Sequence, residues 1–170
     1  MLQEQRYQVQ IPQRLYESPS SPCFKFPSPQ EFWVNGSKGV SIFAALKGDL
    51  NGLQDRSVPF FEDCIGTKIS YRLLMPGFAS FSVQKNARRA VTTRESIARE
   101  KVAVQVAEVV KRFLETTANA KVLPGTNDID SRWRSACQTG VITIQNIYLT
   151  ELVQVSLGSF QPILEVSLAM

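Results

Sequence analysis

Lys85, Arg88, Arg89, Arg94 and Lys101 are the residues whose type and spacing best suit a chemical task in this chain. Cations set this close, just before a helix and on its first turns, can contact successive phosphates. Each phosphate neutralised releases counterions, so affinity becomes salt-dependent. The spacing therefore predicts contact with a nucleic-acid backbone and little readout of bases. The competing role is a solvated turn and helix face. Cations at a helix N-terminus also oppose its macrodipole, by about a few tenths of a kcal/mol, unless an anion sits there.

Arg132, Trp133 and Arg134 form a second cluster. Tryptophan flanked by arginine suits an interface anchor, so the triplet is predicted to dock a partner; the alternative is a tryptophan closing the core beneath a loop. Asp128 and Asp130 beside it could hold a divalent cation. No third acidic residue lies close, however, and an Asx turn is much the better explanation of the pair, so no metal site is expected.

Nucleophilic catalysis has little to draw on. Histidine, the commonest general base and metal ligand, does not occur in the chain. Cys64 follows Glu62 and Asp63, whose charges raise its thiol pKa and suppress the thiolate. Neither a Walker-type nor a dinucleotide-binding glycine motif is present. The expectation is a protein that is not an enzyme and takes no cofactor. Non-enzymatic recognition, through a protein partner or self-association, is the function predicted, with nucleic-acid binding through the basic segment as the alternative.

These residues need a scaffold, and composition bounds it. A chain of 170 residues, 44% of them hydrophobic, can bury a core of its own. Its net charge of +4 is a mild excess favouring acidic partners. Cys23, Cys64 and Cys137 form no CxxC pair and leave an odd thiol, which fits a reducing compartment, the cytoplasm or nucleus. No run approaches the roughly 18 apolar residues of a membrane span, and the first ten residues lack a secretory apolar core. No membrane partner is expected.

Residues 1–31 read as an extended proline-rich arm and residues 32–170 as a single α+β domain. Prolines at 12, 19, 22, 27 and 29 exclude helix from the arm. Tyr7, Val9 and Ile11 alternate with Gln8 and Gln10 as in a short edge strand, while Cys23, Phe24 and Phe26 are too apolar for a solvated linker. In the body, alternation predicts strands over 40–46, over 68–74 with Ile69, Tyr71 and Leu73 inward, and over 78–84. A type II turn at Pro76-Gly77 joins the last two.

Thr92 and Glu95 have capping-box spacing, and Ala98, Val102, Val106, Val109 and Phe113 form one apolar stripe of a helix over 93–117. Gln105 and Glu108 fall on the polar face, with Glu108 placed to pair with Arg112. Residues 116–140 make a connection long enough to be a functional loop. Strands follow over 141–149, 152–157 and 163–168. The expected fold is α+β: a mainly antiparallel sheet of about five to seven strands, with one long amphipathic helix packed on one face and the arm lying outside the sheet.

PGF at 76–78, VKRFLE at 110–115 and VSLGSFQP at 155–162 resemble patterns of uncharacterised proteins of mushroom-forming fungi. Those proteins carry a PGY…W hairpin, a helix ending near RFI and a closing VSKGSWQP. The resemblance covers about residues 70–165 and implies no activity. Phe160 stands where the pattern has tryptophan, and Leu157 where it has lysine.

Overall fold

The computed structural model describes residues 6–18, 27–63, 65–90 and 93–169; Cys23, Phe24, Phe26, Cys64 and Thr92 lie outside them. In chain order the elements are β1 (Arg6–Gln10), β2 (Gln30–Glu31), β3 (Trp33–Val34), β4 (Ser37–Lys38), β5 (Val40–Ser41), α1 (Ile42–Leu46), β6 (Lys68–Leu73), β7 (Phe81–Asn86), α2 (Arg99–Thr117), α3 (Asp128–Gln138), β8 (Ile147–Ser156) and β9 (Ser159–Ala169). Seven strands form the main sheet in the order β2-β8-β9-β6-β7, with β1 also on β9 and β5 also on β8; β3 and β4 make a separate hairpin. The fold is thus α+β with a mainly antiparallel sheet and one long helix. A short parallel contact, Ser70 and Tyr71 against Ser159 and Phe160, joins β6 to β9.

The β8–β9 hairpin is the sheet's spine, and it corrects the expectation of three strands after residue 140. Leu149 pairs with Leu164 but Glu151 with Ile163, so Thr150 is bulged. A bulge shifts the inward parity by one residue, which is why Leu149 and Leu152 both face the core and why the alternation reads as two strands. Residues 159–162 belong to β9 rather than to a loop. Ile11 N–H donates to Leu164 O at 2.9 Å, so even-numbered residues of β9 direct their backbone toward β1. The N–H that Pro162 lacks would therefore face the gap between β1 and β6, where no strand needs it.

Glutamines close that gap. The Gln13 amide donates to Pro162 O at 2.7 Å and accepts from Leu74 N–H at 3.0 Å. Gln161 is wholly buried; its amide accepts from Tyr16 N–H at 2.8 Å and donates to Arg14 O at 2.7 Å. Side-chain amides here replace a strand's backbone pairing. The arm is accordingly not outside the sheet: β1 is one of its edge strands, and Ile11 is a core residue.

The apolar stripe of α2 packs as its spacing predicts, with Val102, Val106, Val109 and Phe113 all at most 1% exposed. Its start differs. The segment before Arg99 is extended because its backbone is engaged elsewhere: Ile97 N–H donates to Ala87 O, Phe60 N–H to Ile97 O and Arg89 N–H to Glu95 O. Ala98 is the N-cap and offers no side-chain bond. Gln105, expected on the polar face, is buried, accepting from Tyr71 Oη at 2.9 Å and donating to Asn86 O at 2.9 Å. Glu108 pairs with Lys85 across to β7, not with Arg112.

Two further helices replace expected strand and loop. Val40, Ile42, Ala44 and Leu46 alternate in sequence, yet Ser41 Oγ accepts from Ala44 N–H and starts α1, which buries Ile42 and Ala45. In the connection after α2, Asn127 Oδ1 accepts from Asp130 N–H at 2.8 Å and starts α3. No described helix is long and apolar enough to cross a membrane.

The β6–β7 hairpin turns where sequence predicts. Gly77 has φ +83°, and Phe78 N–H donates to Met75 O at 3.1 Å. A Cβ on Gly77 would lie 2.6 Å from Asp130 O and 2.9 Å from Arg134 Cβ. Gly77→Ala combines left-handed strain with displacement of α3, and is expected to cost about 2–3 kcal/mol. Urea denaturation should show a lower midpoint at unchanged slope; an unchanged midpoint would mean α3 is not held there.

Candidate recognition surface

The basic segment does not present its charges as one array. Lys85 lies on the helix side of β7 and pairs with Glu108 at 2.7 Å. Arg88 is 6% exposed, and its guanidinium donates to Arg94 O at 3.0 Å, Glu62 O at 2.8 Å, Asp63 O at 3.4 Å and Ile65 O. It fastens Glu62, Asp63 and Ile65 to Arg94, ahead of α2. Arg89 pairs with Glu95 at 3.1 Å on the surface. Arg94 and Lys101 are exposed, and no side-chain hydrogen bond or ion pair engages either among the described residues.

The second cluster is divided by the helix that carries it. Arg132 is exposed, Trp133 is half-buried against the core, and Arg134 is 3% exposed. Arg134 donates to Gly77 O at 2.8 Å and to Ala120 O, and lies 5.0 Å over the Phe78 ring. It is a structural post tying α3 to the β6–β7 turn. Arg132 and Trp133 instead line an apolar groove of about 200 Å³ with Ala136, Val141, Ile142 and Leu168. Val141 is 53% exposed at its rim.

Leu168 continues this groove onto the sheet, since it pairs directly with Tyr7 of β1. Tyr7 shares a strand face with Val9 and Ile11, both packed on the core, but is itself 63% exposed. Groove, Leu168 and Tyr7 thus adjoin on the helix-bearing side of the sheet, beside the edge of β1 that no described strand pairs.

No family model matches the chain, and neither does any curated protein or solved structure.

Among the described residues, no group of three or more carboxylate or thiol side chains is placed to hold a metal ion. Asp128 and Asp130 sit in the first turn of α3, where carboxylates complement the helix dipole. Burial pushes the Cys137 thiol up to about 11, so little thiolate forms at neutral pH. Tyr7, Val141, Ile142 and Leu168 were not legible as site residues in sequence. The available signal was Asn127 as an N-cap, with Ile129, Trp133 and Ala136 at helical spacing behind it.

Proposed function

We propose that the protein is a non-enzymatic recognition module that takes a protein partner on the surface built by α3, β9 and β1. The observation that carries this is the contiguity of the Trp133-lined groove with exposed Tyr7 at a sheet edge. Apolar patches rimmed by polar residues mark interaction sites, and aromatic side chains with arginine are the usual anchors. Arg132 supplies the cationic rim here, while Arg134 beneath holds α3 rigid. Three thiols without CxxC spacing favour work in a reducing compartment, the cytoplasm or nucleus. No cofactor enters this reading.

The test compares immobilised wild-type chain with Val141→Glu, at the groove rim, and Arg112→Glu, on exposed α2. Both substituted side chains lie at the surface, so folding is not at stake. A protein retained by wild type and Arg112→Glu, and lost at least about tenfold with Val141→Glu, is the expected result. Identical retention by all three would overturn the groove as the contact surface.

A further inference from the structure

We infer that the partner at the open edge of β1 is a second copy of this chain, paired antiparallel about a two-fold axis through Gln8. This rests on the reading of the α3, β9 and β1 surface as the recognition face. Ile11 N–H donates to Leu164 O, and the β1–β9 ladder continues from it without a shift. Backbone direction alternates along a strand, so Tyr7 and Val9 turn their polar groups to β9. Arg6, Gln8 and Gln10 turn theirs outward. The outward set is symmetric about Gln8.

A second β1 laid antiparallel on that edge can therefore exchange both bonds between Gln8 and Gln8 of the other copy, and between Arg6 and Gln10 of the other copy. Between these narrow pairs, Tyr7 comes opposite Val9 of the second copy. Both belong to the helix-side face, and an aromatic ring beside a β-branched residue is a favourable cross-strand pair. The pairing covers the exposed Tyr7 ring and prolongs the apolar wall that begins at Leu168.

The other described edges are guarded, whereas β1 carries a charge only at its first residue, Arg6. Edges are protected by charges, prolines, bulges or shortness. Strand β7 carries the inward-facing Lys85, and β2 and β5 are two residues long. Residues 7–10, Tyr-Gln-Val-Gln, contain no charge and no proline, so a symmetric pair opposes no like charges there. Pro12 then limits the pairing to β1 itself.

Sedimentation velocity on the full chain, from about 5 to 500 µM, tests the inference. Wild type is expected to pass from monomer to dimer across that range. Gln8→Pro removes a donor that faces outward and leaves the bonds to β9 in place. It should raise the dimer dissociation constant at least about tenfold with the melting temperature held within a few degrees. Tyr7→Glu, at an exposed position, should do the same by opposing a carboxylate to the second copy's Val9. A chain that stays monomeric at all concentrations overturns self-pairing, as does a dimer indifferent to both variants. Val141→Glu separates the two proposals. Monomeric wild type with Val141-dependent partner retention leaves the recognition reading standing without the dimer. A Gln8-dependent dimer whose retention profile ignores Val141 supports the pairing and removes the groove.

Discussion

Val106→Asp is expected to abolish the cooperative unfolding transition, leaving a chain without fixed tertiary structure at 25 °C. Val106 is wholly buried in the middle of α2, a 19-residue helix whose inner face meets the sheet and α1. Losing the valine's burial costs about 2 kcal/mol. A carboxylate in its place meets no buried cation in the α2 stripe, and either the charge or its forced protonation adds several kcal/mol. Domains of this kind are stable by only about 5–15 kcal/mol, so the sum removes most or all of the margin. Far-UV and near-UV circular dichroism through a thermal ramp would read the loss. A sharp melt near the wild-type temperature would put the stripe elsewhere, and Arg112→Ala, on the exposed face, should change stability by no more than about 0.5 kcal/mol.

That stripe was legible because five apolar residues at helical spacing admit one face. Elsewhere the period was ambiguous or broken. Val40 to Leu46 satisfies a period of two, and only the Ser41 cap and the positive φ of Gly48 decide for helix. The bulge at Thr150 divides one strand's alternation into two. At α2 the start moved to Arg99 because Ala87, Arg89 and Phe60 compete for the preceding backbone, a tertiary effect that no local capping pattern reports. The sites suffered most from this. Arg88 and Arg134 look alike to Arg94 and Arg132 in composition, yet the first two are buried on carbonyls brought from tens of residues away, which sequence proximity does not reveal.

That distinction sets the second large effect. Arg88→Ala would leave the carbonyls of Glu62, Ile65 and Arg94 without their shared donor in a buried position, at a cost of about 3–5 kcal/mol. Lysine cannot restore the fork, so Arg88→Lys should recover only part. Guanidinium denaturation measures both; a midpoint unchanged in Arg88→Ala would show that water replaces the side chain. The consequence reaches the nucleic-acid alternative. Loss of binding in an Arg88 variant would report unfolding rather than a missing phosphate contact. With Lys85 and Arg89 ion-paired and Arg88 held on backbone carbonyls, the cations of the basic segment whose side chains have no partner among the described residues are Arg94 and Lys101, and contacts from these alone give a log-log salt slope of about −2 for duplex DNA. Arg94→Ala with Lys101→Ala should then abolish that slope while leaving stability untouched, since both side chains are exposed. A wild-type slope of about −4 would require Lys85 and Arg89 to leave Glu108 and Glu95 for phosphates, and Lys85→Ala should in that case flatten it by about one.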